Sequence, residues 1–116
     1  MQEMIAPSLH TLVQSCALLK EVKKCEMTKG DIVYIKTNNS TYTLAASGGG
    51  MFEVSGGWFS EHGADRTSLK VNGCTWGGSA IKTDIVAACG LMLEFGNRVK
   101  TSRIKKIYVL SHFRLQ

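Results

Sequence analysis

Turn residues recur roughly every eight to twelve positions after residue 30, and this spacing constrains the fold more than any other feature of the chain. Between the turns, apolar and polar residues alternate with a period of two, as they do in strands with one buried face. Short strands joined by close turns are typical of antiparallel sheets and small barrels. We therefore predict an all-β fold for residues 31–110, a small antiparallel β-barrel or strongly bent sheet of about six to eight strands.

Three hairpins are predicted from their turn residues. The first joins residues 31–37 to residues 41–46, and the last joins residues 91–95 to residues 99–101 through Gly96-Asn97, with a final strand over residues 104–110. Between them, Asn72-Gly73 predicts a tight turn, because this dipeptide tolerates the positive φ angles of a type I′ hairpin. Residues 81–89 fit either a buried strand with a bend or a helical turn.

The N-terminal region has a different period. Its apolar residues recur at helical spacing, and Ser8 is suited to cap the first turn. The stripe consists of Leu9, Leu12, Val13, Cys16 and Leu19. We predict one amphipathic helix over residues 8–24 that covers an open end or edge of the sheet. In the competing interpretation residues 17–22 form a strand.

Size and composition predict a single domain over residues 1–116. The chain is 44% hydrophobic and 20% charged, which is enough for a core without disulfides or metal ions. It contains no run of about 18 apolar residues, and the acidic Glu3 stands where a signal peptide has a basic region. We expect a cytoplasmic protein that does not enter a membrane.

The four cysteines are Cys16, Cys25, Cys74 and Cys89. No two of them form a C-x-x-C pair, so the spacing does not favour zinc, and we expect free thiols, no metal and no cofactor. For nucleophilic catalysis the least unfavourable combination is Cys74 with His62, since a thiol needs a base within reach. No catalytic residue is assigned.

The positive charge of the chain is concentrated near its C terminus. The 14 Lys and Arg exceed the nine Asp and Glu by five, and no acid follows Glu94. Because six basic residues follow residue 96, the preceding part holds eight bases and nine acids. Clustered cations attract phosphate, although a solvated basic surface without a partner is the alternative. The candidate phosphate contacts are Arg98, Lys100, Arg103, Lys105 and Lys106.

Two tryptophans stand next to glycine pairs. Trp58 follows Gly56-Gly57, and Trp76 precedes Gly77-Gly78. An exposed indole can stack on a nucleic-acid base, so both are candidate binding residues. Packing in the core or at its rim is the alternative interpretation.

Four segments together resemble the signature of a group of small, uncharacterised bacterial β-rich proteins. Their patterns are T-x-N-S-x-Y from Thr37, S-G-G-x-F from Ser55, G-x-x-W-G-G-S from Gly73 and T-S-x-I from Thr101. The resemblance covers approximately residues 31–107. It implies a compact β-fold and transfers no catalytic residue.

Three functional hypotheses follow. The first is a non-enzymatic binding module for a polyanion such as nucleic acid, carried by the basic C-terminal strands. The alternative is a protein-interaction or homo-oligomeric assembly module. It would associate through the predicted helix face formed by Leu9, Leu12, Val13 and Cys16. A cysteine-dependent enzyme is the third hypothesis.

Overall fold

The computed structural model describes residues 17–111 of the 116-residue chain. Ten strands, a 3-10 turn (Lys24–Glu26) and one short helix, α1 (Gly57–Glu61), make up this part. The strands are β1 (Ala17–Leu19), β2 (Glu21–Lys23), β3 (Ile32–Thr37), β4 (Thr41–Gly48), β5 (Met51–Gly56), β6 (Thr67–Gly77), β7 (Ala80–Lys82), β8 (Ile85–Ala88), β9 (Met92–Phe95) and β10 (Lys100–Leu110).

Six of the strands close into an antiparallel barrel. The order is β3-β4-β5-β6-β9-β10, and β10 returns to pair with β3. Closure depends on the two longest strands, because β6 pairs with β5 and then with β9, whereas β10 pairs with β9 and then with β3. A closed barrel has no unpaired edge among its own strands. Two short strands are added outside, β1 on β10 and β7 on β6.

Alternating residues of the barrel strands fill its interior. In β3, Val33 and Ile35 are buried, and their neighbours point outward. An aromatic cluster lies inside, where the Phe59 ring centroid of α1 is 5.0 Å from that of Phe95 and the Tyr42 centroid is 5.8 Å from Phe95. The predicted all-β barrel is confirmed.

A two-stranded ribbon of β2 and β8 packs against the barrel. All four residues of β8 are buried, and this strand contacts β6, β9 and β10. Of the two interpretations of residues 81–89, the buried strand is correct over Ile85–Ala88 only: Ile81 is exposed in β7, which ends at Lys82, and β8 begins at Ile85 after a turn.

The hairpin predicted at Asn72-Gly73 is wrong, since β6 runs through both residues as one strand. Gly73 has a φ of 143°, and the pairing of β6 with β9 shifts register between Val71 and Gly73. An ideal Cβ at this position would lie 2.1 Å from the carbonyl oxygen of Lys82. Gly73 therefore lies at a β-bulge that the backbone of Lys82 approaches closely. The Asn-Gly dipeptide permits this conformation as well as the predicted tight turn.

The N-terminal helix predicted over residues 8–24 is wrong for its described part. Residues 17–19 pair with β10, and residues 21–23 pair with β8, as strands. This agrees with the competing interpretation of residues 17–22. The preceding part of the predicted helix lies outside the described residues, as does the proposed self-association face of Leu9, Leu12, Val13 and Cys16.

The other hairpin predictions are confirmed with one change. β3 and β4 form the first hairpin, and β9 and β10 form the last. The separate strands expected over residues 99–101 and 104–110 are one continuous β10, because the irregularity between Lys100 and Arg103 does not end the strand. Within residues 17–111, no helix has the length and apolar character needed to cross a membrane.

Candidate nucleic-acid interface

The basic residues predicted to contact nucleic acid divide into two groups along β10. Arg98 lies in the β9–β10 turn with a φ of 70°, and Lys100 begins β10. The Lys100 ammonium is 3.9 Å from a carboxylate oxygen of Glu94, which faces it from β9. The first group, at the turn end of β10, thus contains a cation that is paired with an acid. The second group lies further along the strand and consists of Arg103, Lys105 and Lys106.

Arg103 is held by backbone carbonyls. Its guanidinium donates one hydrogen bond of 2.9 Å to the Gly90 carbonyl and one of 3.3 Å to the Trp76 carbonyl. Hydrogen bonds from a charged donor are stronger than neutral ones and fix the position of the group. Arg103 is therefore kept beside Trp76 with its positive charge unneutralised by these partners.

Lys105 and Lys106 are both exposed although they are adjacent in a strand. In a regular strand one of two neighbours points inward, but the pairing of β10 with β3 shifts register between Ile104 and Lys106. This irregularity places both side chains outside the barrel. Together with Lys20, they line an open cleft of about 520 Å³.

The same face continues onto β3. Lys36 is exposed and pairs directly with Lys106 across the two strands, which brings two ammonium groups to one side of the sheet. We call this surface the basic face; its residues are Lys20, Lys36, Arg103, Lys105 and Lys106. Sequence reasoning missed Lys36 and Lys20, because alternation shows that a residue points outward but not which distant residue is its neighbour.

The basic face has no acidic partners within residues 17–111. The ion pairs of this part join Arg66 to Glu53, Lys82 to Glu21 and Lys100 to Glu94. None of them involves a residue of the basic face. Lysines on opposite strands repel each other, so the basic face concentrates positive charge that no ion pair within the described residues offsets.

Aromatic side chains adjoin the basic face. Tyr34 of β3 pairs across the strands with Tyr108 of β10, two residues from the Lys36–Lys106 pair and on the same side of the sheet. Both tyrosines are half-buried. Trp76, whose carbonyl accepts the hydrogen bond from Arg103, is 54% exposed. Such rings provide π-faces next to the cations.

Trp58 has a different environment. It lies in α1, and its ring stacks on that of His62 with centroids 4.1 Å apart and makes an edge contact with Phe59. Its backbone N–H donates to the Tyr42 hydroxyl. The two tryptophans therefore differ in role, Trp58 packing within α1 and against the core and Trp76 extending from the surface.

Cys74 and His62, the pair considered for nucleophilic catalysis, each have other partners. Burial raises the pKa of the Cys74 thiol to about 11, so the reactive thiolate is scarce at neutral pH. The thiol donates to the Val86 carbonyl, whereas Nδ1 of His62 lies 2.7 Å from the Trp58 carbonyl. The hydrogen bonds found within residues 17–111 do not join this pair.

Neither a metal-binding group in the described residues nor a similar protein points to a function. No group of three or more His, Cys, Asp or Glu in residues 17–111 has the arrangement needed to hold a metal ion. Comparison of the chain with protein-family models, with curated proteins and with solved structures finds no match.

Proposed function

We propose that the chain is a non-enzymatic module that binds single-stranded nucleic acid on the basic face. The observation that carries the proposal is the convergence of cations that form no ion pair within residues 17–111: Lys20, Lys105 and Lys106 line one cleft, and Lys36 lies opposite Lys106. Lys82 and Lys100, which lie outside the basic face, are each paired with a glutamate. A backbone phosphate would supply the negative charge that the basic face lacks.

The aromatic residues favour a single strand over a duplex. Unpaired bases can stack on Trp76 and on the Tyr34–Tyr108 pair, and each base–aromatic stack contributes about 1–3 kcal/mol as measured by alanine substitution. Stacking tolerates any base. We therefore propose binding with weak sequence preference, in which lysines contact phosphates and Arg103 holds its charge beside Trp76.

A salt titration tests the proposal. Each phosphate contact on a single strand contributes about 0.7 to the slope of log affinity against log salt, so five cations predict a slope of about −3.5. Fluorescence anisotropy of a labelled oligothymidylate at several salt concentrations measures this slope. Absence of binding at low salt would overturn the proposal.

The matched variants are Lys105→Gln/Lys106→Gln and Lys82→Gln/Lys100→Gln. Each double variant removes two positive charges, but Lys82 and Lys100 lie outside the basic face and pair with glutamates. We expect the first variant to weaken binding at least about tenfold and to reduce the salt slope by about 1.4, with a much smaller effect of the second. Equal effects would show only a general dependence on net charge and would reject the basic face as the binding site.

A further inference from the structure

A second cleft lies apart from the basic face, where the loop before β3, the β4–β5 turn and β6 meet. Its volume is about 230 Å³. Ala46, Phe52 and Val71 are buried among its lining residues and close its inner side. The lining also includes three lysines, Lys24, Lys29 and Lys70. We call it the lysine cleft.

No carboxylate belongs to the lining of the lysine cleft. Lys24 donates a hydrogen bond of 3.4 Å to the Asn72 carbonyl, and within the described part of the chain none of the three lysines forms an ion pair. The nearby Asp31 is buried, and its carboxylate accepts hydrogen bonds from the backbone N–H and hydroxyl of Thr28. Three cations around one small space repel one another, and an anion between them relieves that repulsion.

The turn between β4 and β5 leaves one side of the lysine cleft open. Gly49 and Gly50 form a two-residue connection with φ angles of 65° and 80°, the positive values that a type I′ hairpin requires. An ideal Cβ on either residue would meet nothing within 4 Å. A ligand can therefore approach over the glycines without displacing a side chain.

We propose that the lysine cleft binds the phosphate of a phosphate monoester. The cleft, with a volume of about 230 Å³, has room for a phosphate and a small attached group. The buried floor admits a terminal group, whereas the phosphodiester of a continuing chain needs two exits. The monoester belongs either to a free small molecule or to the end of a polynucleotide, and its chemistry at the cleft is the same.

The experiment titrates the full chain with phenyl phosphate and, as a control, with dimethyl phosphate at constant ionic strength. Amide NMR shifts of Gly49, Gly50 and Met51 provide the readout. We expect a saturable shift with the monoester and none with the diester. Absence of a saturable shift at these amides, or an equal response to the diester, overturns the proposal.

Two charge-matched variants locate the binding. Lys29→Gln/Lys70→Gln removes two exposed cations of the lysine cleft, and Lys36→Gln/Lys106→Gln removes two from the basic face. The first is expected to weaken phenyl phosphate binding at least about tenfold, since each charged hydrogen bond lost is worth about that factor or more. The second is expected to change it by less than about twofold. Equal losses in both variants overturn the proposal.

A second arm identifies the source of the monoester. If a 5′-phosphorylated oligothymidylate binds more tightly than its 5′-hydroxyl form, and Lys29→Gln/Lys70→Gln abolishes the difference, the ligand is the end of a nucleic acid. If the two oligonucleotides bind alike and phenyl phosphate still saturates, the ligand is a free small molecule. The inference does not rest on the proposed function, because phenyl phosphate binding can fail while oligonucleotide binding persists.

Discussion

Gly73 and Gly49 both have positive φ angles, 143° and 65°, but their surroundings differ. An ideal Cβ at Gly73 would collide with the Lys82 carbonyl, whereas one at Gly49 meets nothing within 4 Å. We therefore expect Gly73→Ala to lower the free energy of unfolding by at least about 2 kcal/mol, because backbone must move. Gly49→Ala should lower the free energy of unfolding by about 1 kcal/mol, because only backbone strain opposes the added methyl group. Urea denaturation measures both, and equal losses would contradict the close approach at β6.

Single residues also show where local sequence stops being informative. Trp58 and Trp76 each adjoin a glycine pair, so their sequence neighbours predict the same role for both. The structure separates them, because α1 packs the Trp58 ring on His62, whereas Trp76 remains 54% exposed beside the carbonyl-bound Arg103. This difference depends on residues distant in sequence, which alternation and spacing do not report.

At the scale of strands, alternation predicted the elements whose partners are close in sequence. The β3–β4 and β9–β10 hairpins follow directly from a turn between two alternating segments. The errors occur where the structure of a segment depends on pairing with strands that are distant in sequence. Residues 17–23 pair with β10 and β8 instead of forming a helix, and Gly73 lies in a bulge opposite β9 instead of in a turn. The candidate site follows the same rule. Lys105 and Lys106 were predicted from the charge distribution, but Lys36 depends on register.

The Lys36–Lys106 pair leads to a prediction with opposite effects on stability and binding. Directly opposed like charges destabilise a sheet, and an opposite pair contributes roughly 0.2–1 kcal/mol. Lys36→Glu should therefore raise the free energy of unfolding by roughly 0.5 kcal/mol, measured by urea denaturation. Because the new carboxylate also neutralises Lys106 and repels phosphate, affinity for oligothymidylate should fall.

Lys36→Gln is the control for this prediction. It removes the repulsion without adding a negative charge, so both its stability and its oligonucleotide affinity should lie between those of the parent chain and Lys36→Glu. If Lys36→Glu destabilises the protein, the cross-strand contact with Lys106 is wrong. If it leaves oligonucleotide binding unchanged, the role of Lys36 in binding is wrong.

At the scale of the whole molecule, the barrel separates two cationic surfaces. β3 connects them: its first residue, Ile32, follows the loop of the lysine cleft, and Lys36 near its other end belongs to the basic face. Four residues of strand span roughly 13 Å, so one phosphate group cannot contact both surfaces. The two surfaces can therefore be tested separately on the same protein, with phenyl phosphate for the lysine cleft and salt-dependent oligonucleotide binding for the basic face.

Barrel closure predicts how stability is distributed over the molecule. β4 is bonded on both sides, to β3 and β5, whereas the three-residue β7 is bonded to β6 alone among the described strands and exposes Ala80 and Ile81. Amide hydrogen exchange should therefore be faster in β7 than in β4.

Binding of oligothymidylate should slow amide hydrogen exchange over residues 76–82. The reason is that the oligonucleotide proposed to stack on Trp76 restrains the end of β6 to which β7 is paired. This protection should weaken in Lys105→Gln/Lys106→Gln at the same oligonucleotide concentration. Protection confined to the β4–β5 turn would instead place the nucleic acid at the lysine cleft and reject the basic face.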